Sequence, residues 1–392
     1  MANENKILFV TNRNILTTSG ELRLIKNRAE ALYKYYHIAS DFLVCQSRER
    51  INSEKRESIS AGGDFYTIPL SVVNILASYS KLKRKLNELL NKNHYSAVIL
   101  SGVGMPSFIR CIQSNYKMIV GVDIHGSSED IILLSRGGTI ISKIKSRLVF
   151  SVDYYSLKRN MRFADYCFVV TKELRDYVRE RFHTTDRTKF IISPCATDNS
   201  HFDKKEYEKN RREYRAKYGL DDNIPVFVYS GGVSRWQCIE ETLRLFTQIS
   251  ENIPNARLLV FSHRLDYIKQ LTNCSGIIFD SYTPDELGNA LCAADFAFLL
   301  REDCVTNNVA FPNKYLEYVK SGLKIITTPY LHEIADQIKK YKIGYLYDMR
   351  GSIDRIVNYI ETAQHDINED TVNTVLAQNS FENTLRVLKD GF

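Results

Sequence analysis

The chain has 392 residues, 44% of them hydrophobic and 25% charged, so two domains and an ordinary globular composition are expected rather than one core or a disordered tract. A formal net charge of +7 favours anionic partners: nucleotide phosphates, acidic lipid headgroups or nucleic acid. The eight cysteines stand singly, no apolar run approaches the roughly 18 residues that span a bilayer, and the polar start lacks a signal-peptide pattern. Structural zinc and a membrane span are thereby excluded, and a cytoplasmic protein with only peripheral membrane contact is expected.

Residues 6–11 (KILFVT) form a short apolar run of the kind buried in a parallel sheet. A polar loop ends in Ser19-Gly20, and Leu24, Ala31 and Leu32 then fall at helical spacing. Small residues between a strand and a helix let backbone N–H groups approach an anion, although a plain βα turn uses the same residues. Strands are expected at 42–45, 65–68 and 97–101, with a helix that is basic on one side at 72–90. The strand at 117–122 runs into Asp123-Ile124-His125-Gly126-Ser127. Open α/β folds bind ligands at the carboxyl edge of a parallel sheet, so His125 either orients a reacting group or merely caps the loop.

The most basic region is 135–162. There Arg136, Lys143, Lys145, Arg147, Lys158, Arg159 and Arg162 interleave with Ile140, Ile141, Ile144, Leu148, Val149, Phe150, Tyr154 and Tyr155, and Asp153 alone is acidic. Such a segment either lies on an anionic membrane or forms a helix pair with its apolar side in the core. Nucleic acid is a poorer partner, because no recognition module accompanies the charge. A strand at 164–171, a helix at 172–182 and a strand at 189–193 complete an alternation that implies a doubly wound parallel sheet.

The charged stretch 197–222 reads as an interdomain connection with a short helix. The strand pattern restarts at 226–230 and leads into Gly231-Gly232-Val233-Ser234-Arg235-Trp236-Gln237. A glycine pair between strand and helix opens the backbone to a phosphate, although this is neither a Walker loop nor a G-x-G-x-x-G. Strands follow at 256–262, 276–280 and 294–300, and a helix opens at Thr283 with Pro284 behind it. In 307–329 (NNVAFPNKYLEYVKSGLKIITTP) Pro312 suits a helix's first turn and Gly322 its stop, before a β-branched strand. Lys314 in that first turn opposes the helix dipole. Its compensation is either a salt bridge to Glu317 or a bound phosphate whose ligand also engages Glu317. Closing helices are expected at 353–364 and 370–388.

Taken in order, these residues resemble the retaining, nucleotide-sugar-dependent glycosyltransferases of GT-B fold, family 4 type. The likeness rests on Asp123-Ile124-His125-Gly126, Phe163-Ala164-Asp165, Pro194 with Asp198 and Phe202, Tyr229-Ser230-Gly231-Gly232, Asn255-Ala256-Arg257-Leu258, Tyr282-Thr283-Pro284-Asp285-Glu286-Leu287, Ala294-Asp295, and the segment from Phe311 to Gly322. It implies two Rossmann-like doubly wound domains facing a cleft: 1–198 for the acceptor, 199–370 for the donor, and a helix at 371–392 that crosses back onto the first. Glu317 would then hold the ribose, Gly231 and Gly232 the pyrophosphate, and Asp280, Ser281 and Tyr282 the base. His125 would stand beside the transferred sugar, and the Gly20 amide would approach the donor phosphate.

Two positions depart from the family pattern. Gly232 and Gln237 stand where an arginine and a lysine commonly meet the diphosphate, and Val309 replaces the first of two glutamates. The leaving diphosphate needs a cation, for which Lys314, Arg235 and Arg301 are the candidates. The resemblance implies a sugar moved from a nucleoside-diphosphate donor, UDP ahead of GDP, to a glycan or lipid-linked hydroxyl in surface-polysaccharide synthesis. It implies no metal and no resident cofactor; contact of 135–162 with an anionic inner membrane face stays one of the two readings of that segment. Competing readings are a non-catalytic GT-B partner subunit, a peripheral membrane binding protein, or a GT-B sugar-nucleotide epimerase.

Overall fold

The computed structural model describes residues 6–12, 20–46, 61–69, 75–133, 138–194, 201–363 and 367–389. Ser19, Arg136, Asp198 and the beginning of the helix expected from 72 lie outside them. The chain divides into two compact units, 1–198 with 379–392, and 199–378.

The first unit is built on seven strands: β1 (Lys6–Thr11), β2 (Ala39–Gln46), β3 (Phe65–Pro69), β4 (Ala97–Ser101), β5 (Ile119–Ile124), β6 (Tyr166–Val169) and β7 (Lys189–Ile192). All pair in parallel, in the order β3-β2-β1-β4-β5-β6-β7. β4 is buried along its whole length, as a strand covered by helices on both faces must be. The order reverses between β1 and β4, and at such a switch point the loops diverge and leave a crevice beyond the carboxyl ends.

The second unit repeats the plan with β8 (Val226–Ser230), β9 (Arg257–Phe261), β10 (Ile277–Asp280), β11 (Phe296–Leu299), β12 (Lys324–Thr327) and β13 (Gly344–Leu346). These strands are also all parallel, in the order β10-β9-β8-β11-β12-β13, with the switch point between β8 and β11. Phe227 anchors its core, stacked on Phe296 and Phe298 at 5.0 and 5.3 Å and edge-on to Phe246. The two doubly wound sheets are the α/β class that the alternating pattern implied.

Several elements differ from the reading of the sequence. The stretch taken as a connection with a short helix contains a longer one, Lys204–Tyr218, capped by the Asp203 carboxylate at its start and by left-handed Gly219 at its end. Helices Ile109–Tyr116 and His332–Tyr341 and the three-residue β13 were not anticipated. The basic region forms one long helix, Ile140–Asn160, and a short 3-10 turn in place of a helix pair. The closing stretch is broken by the buried Asn379 and Ser380. Helix Glu369–Gln378 stays with the second unit, whereas Ser380 caps the turn Phe381–Thr384 in the first.

Candidate active site

In the second unit the polypeptide leaves β8 at the switch point through Gly231. Its φ of +134° suits only glycine, and a Cβ there would collide with the Lys314 ammonium. The Gly231 N–H donates to the Phe261 carbonyl at 2.9 Å. The Ser230 N–H donates to the Tyr318 hydroxyl at 3.0 Å, which ties the tip of β8 to helix Asn313–Lys320. That helix starts one residue later than expected, with Pro312 as its N-cap at ψ 133°. It ends as its glycine foretold. Gly322 lies at φ +71°, its N–H donates to Val319 O at 3.0 Å, and the Leu323 N–H donates to Tyr318 O at 3.0 Å. This crossed pair satisfies carbonyls that the last turn would otherwise leave bare.

Lys314 rises from the first turn of this helix. Its ammonium lies against the Gly231 backbone, donates to Gln237 Oε1 at 3.0 Å, and sits 5.3 Å from the centre of the Tyr229 ring. Burial pushes its pKa down to about 7; the neighbouring Arg301 adds to the shift and Glu317 opposes it. Arg301 leaves the carboxyl end of β11, on the other side of the switch point. It is buried, and its Nη1 donates to Leu300 O at 2.7 Å. Tyr229 closes the loop by donating to Gly232 O at 2.5 Å. Two cations therefore stand at the one place in this sheet where the strand order turns. That is an arrangement that stabilises an anion and that water alone balances poorly.

The remaining expected residues fall into three places. Glu317 is three residues beyond Lys314 on the same helix. Arg235 stands apart: its side chain is 76% exposed and its Nε lies 3.8 Å from Glu302. It borders a cavity of about 510 Å³ lined by Val233, Cys238 and Glu302. Asp280, Ser281 and Tyr282 follow β10. Asp280 accepts from Lys217 and from the Tyr218 hydroxyl, both at 2.9 Å, and Tyr282 accepts from Lys217 at 2.7 Å. Burial alone would raise the Asp280 carboxyl, but bonds from Lys217, the Ser281 amide, Tyr218 and Tyr282 hold it at about 2. The Tyr282 ring meets Phe261 edge-on at 5.1 Å. Lys217, Tyr218 and Tyr318 were not singled out from the sequence. The first two lie in a helix that was expected only as a short one, and Asp203 and Gly219 were the available signals of its full length. Val309, where the family has a glutamate, is buried.

In the first unit His125 follows β5, its side chain 4% exposed and its Nε2 2.9 Å from Asp123 Oδ2. The other Asp123 oxygen lies 2.6 Å from Arg28 Nη1, with both side chains fully buried. Burial would raise the Asp123 carboxyl, but Arg28 and then His125 outweigh it and hold it well below the usual carboxylate range. Asp123 thus fixes the imidazole by one nitrogen and leaves Nδ1 as its other polar atom. Arg28 was missed because it is brought to Asp123 from a distant helix, Gly20–Tyr36, which Gly20 opens.

Residues 210–374, nearly all of the second unit, match the family described as glycosyl transferases group 1. No curated protein matches the chain in sequence. Among solved structures, a sucrose-phosphate synthase from Thermosynechococcus elongatus superposes with a TM-score of 0.63 at 13% identity, over 98% of this chain and 94% of that one. A glycosyltransferase from Rickettsia africae gives 0.66 at 11% identity, over 99% and 97%. Anabaena HepE, in complex with UDP and glucose, gives 0.65 at 13% identity, over 98% of both chains. The second unit is thus similar to that family, and the full length shares the two-unit α/β fold of these solved glycosyltransferase structures.

Proposed function

We propose that the chain transfers a sugar from a UDP-sugar to a hydroxyl of a glycan or lipid-linked acceptor, with retention at the anomeric carbon. The bond from that carbon to the β-phosphate oxygen breaks as the bond to the acceptor oxygen forms on the same face. The acceptor's proton leaves with the nucleoside diphosphate. The observation that carries this reading is the Lys314 ammonium held against the bare Gly231 backbone at the switch point. A diphosphate arriving there meets one cation beside the side-chain-free backbone of Gly231 and Gly232, with Arg301 behind them, so charge that develops on the leaving group is stabilised in place. Lys314 takes over from the arginine and lysine that Gly232 and Gln237 replace. Glu317 holds the ribose, the turn from Asp280 to Tyr282 receives the base, and His125 with Gly20 serves the sugar and phosphate from the first unit. Support for UDP comes from the HepE complexes with UDP and with UDP-glucose. Synthesis of a surface polysaccharide at the inner membrane face is the setting that suits a basic chain of this family.

Thermal-shift titration with UDP-, GDP- and ADP-sugars tests the assignment. The UDP series is expected to raise Tm, and Glu317→Ala is expected to remove the rise. Stabilisation that survives Glu317→Ala would place the nucleotide elsewhere.

A further inference from the structure

Six of the ten well-exposed large hydrophobic side chains among the described residues lie on one helix, Ile140–Asn160. They are Ile140, Ile141, Ile144, Leu148, Val152 and Tyr155, each 54–79% exposed. At 3.6 residues per turn they fall within roughly 120° of arc and extend about 22 Å along the axis. The same helix is fastened to its unit by a different side. Ser156, Leu157 and Asn160 are buried, Ser156 Oγ meets Ser107 Oγ at 2.9 Å, and Tyr154 packs edge-on against Phe182 at 5.7 Å. The helix is therefore apolar on two faces, and core packing uses only one of them.

The charges around the outer stripe are of one sign. On the helical wheel Lys145 borders one edge, Lys143 and Arg147 border the other, and Lys158 and Arg159 close the carboxyl end. The helix's single acid, Asp153, lies toward the anchored side and accepts from Ser128 Oγ at 2.7 Å. We infer that this face is a docking surface for an anionic lipid bilayer, with the helix lying in the interface and its six apolar side chains entering the acyl boundary. Flanking lysines and arginines gain from acidic headgroups, whereas a second copy docked on the stripe would bring like charges together. The inference stands on this stripe alone and goes beyond the sugar-transfer reading.

Co-sedimentation of the full chain with phosphatidylcholine vesicles, with and without phosphatidylglycerol, tests it without any donor present. Binding is expected only when phosphatidylglycerol is included, and it should weaken as salt is raised. Ile144→Ser with Leu148→Ser is expected to weaken binding on the order of 100-fold, taking about a tenfold loss per withdrawn side chain. Each Lys→Gln change at Lys143 or Lys145 is expected to cost about fivefold. Because all these side chains face water, Tm should not move. Equal binding to neutral vesicles, no binding to anionic ones, or binding unaffected by the double serine variant would overturn the inference. So would a concentration-dependent dimer that the serine variant dissolves. A negative result with vesicles leaves UDP-sugar binding untouched, so the two failures are distinguishable.

Discussion

Lys314 is held where an ammonium is uncomfortable: a helix N-terminus, a buried guanidinium and little water surround it. Its pKa falls from the ordinary 10.5 to about 7, and so between those values the folded protein holds one proton fewer than the unfolded chain. A diphosphate reverses the preference because it interacts only with the charged form. Donor binding above pH 7 is therefore expected to take up a proton. Affinity should be greatest below about pH 7 and fall by up to about tenfold per pH unit above it. Calorimetry in buffers of different ionisation enthalpy measures that uptake, and Lys314→Met is expected to abolish both the uptake and the pH dependence. An affinity flat from pH 6 to 9 in the parent protein would remove Lys314 from the diphosphate. The sequence exposed Lys314 as a charge opposing a dipole, but not its partner. Contact with Gly231 depends on where β8 meets a helix far along the chain, and no local pattern records that.

At the scale of elements, helix Lys204–Tyr218 shows how a strongly charged sequence can still be structural. Arg211 Nη2 and Arg215 Nη2 reach the two Asp295 oxygens at 2.6 and 2.9 Å, and Asp295 also accepts from the Val226 N–H at 2.8 Å. One carboxylate thus joins the helix to the amino ends of β8 and β11. Arg215 is only 2% exposed, so Asp295→Ala leaves its charge buried and unpaired. A loss of about 3–5 kcal/mol in urea unfolding is expected. A loss below about 1 kcal/mol would show that the ion pair contributes no more than a surface bridge. The stretch was read as a connection with only a short helix because K, R and E in every turn resemble a solvated linker, and burial of an arginine cannot be seen in composition. The helix after Pro312 was legible for the opposite reason: its stop is written in one glycine whose conformation few other residues adopt. The exposed stripe on Ile140–Asn160 lay between these extremes. The residues were evident, but which apolar side faced inward was not.

For the whole molecule, alternation of apolar strands with amphipathic helices was sufficient to indicate two parallel sheets, since parallel strands require crossover helices. Strand order was not readable. It is fixed by side-chain fit across the sheet, as in the packing of Phe227 against Phe296 and Phe298. Because both sheets place their switch points at carboxyl edges, UDP alone is expected to slow hydrogen exchange at 229–238, 280–282 and 313–320. Exchange along β4 and β5 should be unchanged by it. Protection that appears first around Asp123 and His125 would assign the nucleotide to the other unit.

Residues 379–392 belong with 1–198, so the second unit is a 199–378 insertion in the sequence of the first. On a ribosome adding roughly 5–20 residues per second, the inserted stretch takes on the order of ten to forty seconds to emerge. During that time the first unit waits, complete except for its final piece. The second unit can be finished earlier, before residues 379–392 join the first.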